Sequence, residues 1–268
     1  MYRILGYSEN QLGNIDKAIN YHKISGTLAD KYLKGIVFDK TNSYHFNVSS
    51  MVCAYFVNIG LCYFDLWELD KASDYFQEGI LAAIEFKRDR YWVEDYCCLA
   101  LTKSFLGFLE DAEKIAEEAY KKYQYTTTSA WGRVYTPIIL GKTHKNLGNN
   151  RKSIELYQLA LSQAEKIHYK QARANILIGL AEIYREPEIQ NFDLALLHHF
   201  EALKLLHHLE AKCDLAGAYF QLGLTYQAMR KPDQAEECKA EALKIFQNIK
   251  APKQCDRVNK AFEQGVIK

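Results

Sequence analysis

Residues 140–162, LGKTHKNLGNNRKSIELYQLALS, hold the pattern whose reading decides the fold. Two large-small pairs, Leu140-Gly141 and Leu147-Gly148, lead to Tyr157 and then to Ala160-Leu161. The skeleton returns as Leu222-Gly223, Tyr226, Met229, Ala235 and Ala242-Leu243. Toward the N-terminus it recurs as Leu99-Ala100, Leu106-Gly107, Leu109, Ala112, Ala116 and Ala119, and as Ile59-Gly60, Tyr63, Leu66, Leu69, Ala72, Phe76 and Gly79. Leu180-Ala181, Tyr184, Phe192, Ala195 and Ala202-Leu203 make a further copy, and Leu5-Gly6, Leu12-Gly13, Ile15, Ala18-Ile19 and Ser25 open the chain with another, so that six copies are present.

Small side chains at fixed places have a physical reading. Two helices of a hairpin approach closely only where one lacks a bulky side chain, and neighbouring large residues then fill the groove. Ala18, Ala72, Ala112, Ser153, Ala195 and Ala235 are the expected crossing points, and they lie 54, 40, 41, 42 and 40 residues apart. Periods of this length are the mark of helical-hairpin arrays.

The skeleton resembles the tetratricopeptide repeat family, whose first helix carries a large-small pair and an aromatic and whose second carries small, aromatic and small positions. The resemblance covers nearly the whole chain. The spacing is longer than the 34 residues of the ordinary unit, which is similar to the long-repeat variety of bacterial signalling and transcription-regulating proteins and to the repeats of animal cell-polarity adaptors. The implied fold is all-α: a right-handed superhelical solenoid of about six antiparallel helix pairs closed by a C-terminal capping helix. One solenoid domain over 1–268 is expected, with repeats near 1–34, 53–90, 91–127, 128–169, 170–210 and 211–250 and a cap at 252–266. The first copy begins with its first helix already under way, so the chain reads as part of a longer protein.

Local departures carry their own expectations. About 14 surplus residues fall between the first two copies, within Asp30–Ser50, and predict a longer loop or an extra short helix. Pro187 should stop the first helix of the fifth copy. Thr136 and Pro137 suit an N-cap followed by the first helical position. Val258 and Phe262, at i and i+4, give the last helix an apolar face opposite many charges, as a cap requires.

Composition narrows function further. Lys and Arg number 34 and Asp and Glu 33, for a formal charge of +1, so no broad field of one sign draws a phosphate backbone or an anionic membrane. Neither nucleic acid nor membrane is expected as a partner. Seven cysteines without a C-x-x-C pair read as free thiols, and no signal peptide or membrane-length apolar run is apparent. A cytoplasmic location follows as an expectation.

Candidate chemistry mostly has plainer readings. Gly141-Lys142-Thr143 imitates the end of a phosphate loop, but Thr136 stands where a glycine is needed. His198-His199 and His207-His208 are too far apart along one helix to share an ion, and read as solvated or helix-end residues. Cys97-Cys98 read as small core residues, and the Asn47-Val48-Ser49 sequon reads as chance. No catalytic residue, cofactor or metal is expected, and the chain is not read as an enzyme.

Function is expected on the first helices of the repeats, which line the concave face in the family that the chain resembles. That resemblance implies a groove formed by Asn10 and Gln11; Phe64 and Asp65; Ser104; Tyr135, Lys142, Lys145 and Asn146; Asn175, Glu182, Arg185 and Glu186; and Gln221 and Gln227. Amide side chains there suit the backbone of an extended peptide, and Lys142 and Lys145 suit a carboxylate. Leu61 and Leu101 stand where the chaperone-binding branch needs polar residues, which argues against a chaperone tail. The expected role is a protein- or peptide-binding scaffold, with a sensory or regulatory module responding to a peptide or small ligand as the alternative.

Overall fold

Ten of the turns among the described residues are closed by one residue in the left-handed region, and that repeated device punctuates the architecture. Gly13, Gly107 and Gly148 take positive φ, as do Trp67, Lys87, His168, Gln190, Glu210, Arg230 and Lys250. The following amide reaches back to the last helical turn: Glu68 to the carbonyl of Tyr63, Asn149 to His144, Lys231 to Tyr226. These bonds satisfy carbonyls that a helix end leaves without partners.

The computed structural model describes residues 1–35, 43–126 and 130–265. Among them all regular structure is helical, in thirteen helices: α1 Tyr2–Gln11, α2 Ile15–Gly35, α3 Ser43–Asp65, α4 Leu69–Glu85, α5 Asp89–Phe105, α6 Leu109–Tyr123, α7 Ala130–Asn146, α8 Asn150–Lys166, α9 Lys170–Arg185, α10 Phe192–Leu209, α11 Lys212–Ala228, α12 Pro232–Asn248 and α13 Pro252–Gly265. Within each unit successive helices pack as antiparallel hairpins, and α13 stands last. The chain divides into two compact units, one of Met1–Asn10 with Asn14–Gly132 and one of Gln11–Gly13 with Arg133–Lys268.

In the first unit α3 packs against α2, α4 and α5, and α5 against α4 and α6. In the second, α9 packs against α8, α10 and α11, and α11 against α10, α12 and α13. The six small residues sit at the closest places: Ala18, Ala72, Ala112, Ser153 and Ala195 are fully buried and Ala235 is 4% exposed. A second register runs beside them. A side-chain carbon on Gly60 would meet the ring of Phe76 at 2.4 Å, one on Gly141 the ring of Tyr157 at 2.9 Å, and one on Gly6 the ring of His22 at 2.5 Å. In each of those hairpins the first helix gives up its side chain so that a ring of the second can lie on its backbone.

Four expectations need correction. The surplus residues are largely helical: α2 runs on to Gly35 and α3 begins at Ser43, while residues 36–42 of the expected loop lie outside those described. Leu33 and Val48 are buried together with Ala29 in that extension, which gives the added turns an apolar contact. Pro137 lies inside α7 and does not begin it. It supplies no amide hydrogen there, yet Val134, Ile138 and Leu140 around it are buried, so packing carries the helix through; Thr136 is a core residue and no cap. His199 is likewise fully buried, not solvated. Finally, Asn47–Asp65 in α3 is long and apolar enough, by length and composition, to cross a membrane. Within the first unit that stretch carries the contacts of α3 to α4 and α5 and buries Cys53, Val57, Ile59 and Cys62.

Other readings agree with the structure. α9 ends at Arg185, and Glu186, the residue before Pro187, has the extended ψ of 146° that proline imposes on its predecessor. Asn191 then caps α10 by accepting from the Leu194 amide at 3.2 Å. Cys97 and Cys98 are buried, and burial raises both thiols above their ordinary range. Ser49 of the sequon is fully buried, with its hydroxyl accepting from Arg88 at 2.7 Å. Val258 and Phe262 are buried as the cap requires.

Candidate functional site

The second unit gathers most of the expected groove residues on its first helices, α7, α9 and α11. Helical periodicity puts them together: Tyr135, Lys142, Lys145 and Asn146 share one side of α7, and Glu182, Arg185 and Glu186 follow at i, i+3 and i+4 on α9. Tyr157 fixes the spacing of these helices. Its ring is buried against the backbone at both Gly141 of α7 and Gly179 of α9, where a side-chain carbon on Gly179 would stand 2.3 Å from the ring.

Polar side chains tie the helices of that face to one another. Lys145 Nζ lies 3.1 Å from a Glu182 oxygen and 3.6 Å from one of Glu186, tying α7 to α9. Arg185 ties α9 to α11, donating to the Gln221 carbonyl at 2.9 Å and to Gln221 Oε1 at 3.0 Å. Its third contact is the Thr225 hydroxyl at 3.4 Å. Gln227 donates to the Phe262 carbonyl at 2.9 Å, tying α11 to α13. From α13, Arg257 donates to Gln254 at 3.2 Å and lies over the Phe220 ring at 4.9 Å.

The electrostatics follow from this geometry. Burial pushes the Glu182 carboxyl up, but the ammonium of Lys145, then Arg185 and Lys142, outweigh it, and the group is held below the ordinary carboxylate value. Burial lowers Arg185, and Glu182 and Glu186 oppose that. Arg257 is brought down to about 10 by burial, with Glu182 opposing, so it stays charged near neutrality. His199, from α10, is lowered to about 3 by burial first and by Arg185 second, so its ring is neutral. Thr225 gives its hydroxyl proton to the Gln221 carbonyl at 3.1 Å. The 3.0 Å contact between His199 Nε2 and that hydroxyl is therefore assigned as Nε2–H donating.

The remaining expected residues divide by burial. Asn175 and Gln221 are buried, and Gln221 presents its acceptors to Arg185. Tyr135 packs edge-on against Tyr169 at 5.6 Å between ring centres, and Asn146 is half-buried. In the first unit, Asp65 accepts from Asn10 at 2.9 Å, while Ser104 is buried and donates back to the Leu101 carbonyl at 2.7 Å. Phe64 joins Trp67 and Phe105 in an aromatic cluster with ring centres 4.8 to 5.9 Å apart. Thr225, His199 and Arg257 were not expected at the site. Their polar contacts come from neighbouring helices, and only the periodicity of Gln221 and Thr225 at i, i+4 hinted at one of them.

The comparisons with known proteins agree with this architecture. The tetratricopeptide repeat family model matches residues 138–167 and 216–249. In sequence the chain matches none of the curated proteins. Among solved structures it is similar to the Rap conjugation gene regulator of the plasmid pLS20 in complex with the Phr* peptide. That likeness has a TM-score of 0.67 at 18% identity and covers 97% of this chain and 63% of the regulator, so the chain spans less than two thirds of that protein's length. A Rap protein complexed with Competence and Sporulation Factor is similar at a TM-score of 0.63 and 13% identity, over 98% of this chain and 75% of the other. BtubC from P. vanneervenii is similar at 0.56 and 18%, over 88% and 92%. At these identities the likeness concerns the fold. The skeleton read at Leu140–Leu161 and again at Leu222–Leu243 is thus that of tetratricopeptide repeats, set in a chain of all-helical, solenoid-type build.

Proposed function

We propose that this chain binds an extended segment of a partner protein, or a free peptide, along the face that α7, α9 and α11 present in the second unit. The observation that carries the reading is the set of polar ties from Lys145 to Glu182 and Glu186 and from Arg185 to Gln221. Its members hold one another in place before any ligand arrives, so little side-chain ordering is left to oppose binding. Half-buried Tyr135, Lys142, Asn146 and Gln227 border it, and supply an aromatic surface and hydrogen-bonding groups for a peptide backbone. In this reading the chain works as a scaffold and carries out no reaction.

A photoreactive amino acid placed singly tests the assignment. Crosslinks to a captured partner are expected from Tyr135 and Asn146, and not from Arg151 of α8 or Glu236 of α12. Crosslinks confined to Arg151 and Glu236 would move the function to the other helices.

A second reading is favoured by the two Rap structures, one of a gene regulator holding a peptide. Here the same face would sense a peptide, and occupancy would shift the helix stack between arrangements of unequal affinity. Small-angle scattering separates the two: a change in the radius of gyration on saturation belongs to the sensor, and an unchanged one to the scaffold.

A further inference from the structure

The polar face of the second unit holds more cations than carboxylates. Lys142, Lys145, Arg185 and Arg257 stand against Glu182 and Glu186, the acids that act on them. The four cations are not equivalent. Lys145 is held between both glutamates. Arg185 donates to Gln221 and Thr225, and Arg257 to Gln254 while it covers Phe220. Lys142 is half-buried on the same side of α7, one turn before Lys145, and makes no ion pair or hydrogen bond among the described residues. Its ammonium nevertheless acts on Glu182. An ammonium has three donors and no acceptor, and the nearby carboxylate is already taken by Lys145.

We propose that Lys142 is the recognition cation of this face, that the bound segment presents a carboxylate to it, and that Lys145 is a positioning residue that holds α7 against α9. This rests on the peptide-binding reading above and deepens it. The net charge of the cluster favours an acidic segment over a basic one, because an acidic occupant offsets the surplus whereas a basic one adds to it. The occupant is an acidic stretch within a chain, since a lone terminal carboxylate offsets only one of the two surplus charges.

The full chain titrated calorimetrically at low salt with three probe peptides tests the proposal. The probes are an acetylated and amidated hexaglutamate, a Gly-Ser hexapeptide with a free C-terminal carboxylate, and an acetylated and amidated hexalysine. The hexaglutamate is expected to bind, more weakly as salt is raised; binding of the Gly-Ser peptide alone would overturn the acidic stretch. Lys142→Gln should weaken hexaglutamate binding about ten-fold while Lys142→Arg restores it; far-UV circular dichroism shows that both variants fold. Lys145→Met should weaken it in part, with rescue by Lys145→Arg. Equal binding to wild type and Lys142→Gln would overturn the role of Lys142. Binding of hexalysine alone would overturn the acidic ligand and leave the peptide-binding reading standing. Binding of none of the three would also overturn it, and the crosslinking pattern then judges the broader reading separately.

Discussion

Asp95 is the residue at which burial and chemistry conflict most. It is fully buried in α5, and neither carboxyl oxygen has a hydrogen-bond partner. The group lies against the backbone at Gly79, where a side-chain carbon would come within 2.5 Å of it. Burial, and after it the charge of Glu94, raise its proton affinity well above the ordinary carboxylate range. Asp95 therefore keeps its proton to higher pH in the folded first unit than in the unfolded chain. Because its folded value is the raised one, its contribution to stability is complete below the unfolded value of about 3.9 and is lost as pH rises toward the folded one. Asp95→Asn keeps the shape and does not titrate. The stability difference between the two proteins should therefore shift in favour of the variant as pH rises above the unfolded value, by at most about 1.4 kcal/mol per unit. Urea unfolding followed by tryptophan fluorescence at several pH values measures this, and a pH-independent difference would show that Asp95 ionises in place. No sequence signal marked this residue, since Glu94-Asp95 in a helix ordinarily reads as solvated surface.

Helix crossings were the most legible feature, because a small side chain is a local cause with a fixed spacing. The buried set from Ala18 to Ala235 follows from period alone, and Gly141 belongs to the same skeleton. Pro137 shows the limit: propensity places it at a helix start, whereas the contacts of Val134, Ile138 and Leu140 decide the outcome, and these are visible only in three dimensions. Two glycines make the packing argument quantitative. Gly179 would drive a methyl to 2.3 Å from the fully enclosed ring of Tyr157, while Gly217, inside α11, has nothing within 4 Å. Gly179→Ala should cost about 1 to 3 kcal/mol through overpacking. Gly217→Ala should add about 0.5 to 1 kcal/mol, because alanine loses less backbone freedom in a helix. Opposite shifts in the thermal midpoint are expected, and shifts of the same sign would contradict the placement of Tyr157 between α7 and α9.

At the scale of the whole molecule, repeat identity and number could be read directly, but the partners within the polar face could not. The period places Lys145, Glu182, Arg185 and Gln221 on first helices; which of them pair depends on side-chain reach across successive hairpins, and the sequence expectation of open ligand contacts became a network of internal ones. The closing helix is a clearer case, since a stack needs an end whose outer face is polar. Val258 and Phe262 are buried, and Phe262 stands 6.4 Å from Phe220 between ring centres. A chain ending at Ala251 loses both side chains, the Gln227 bond to the Phe262 carbonyl and the cover over Phe220. Burying two such side chains contributes about 3 to 6 kcal/mol, so the second unit should melt on the order of 10 °C lower. The probes that separate the units are already in the sequence. Trp67, Trp92 and Trp131, the only three tryptophans, all belong to the first unit, whereas circular dichroism reports helices of both. The fall is expected in the dichroism of the shortened chain; a loss seen in fluorescence alone, with the dichroism unchanged, would mean that α13 does not cap the second unit.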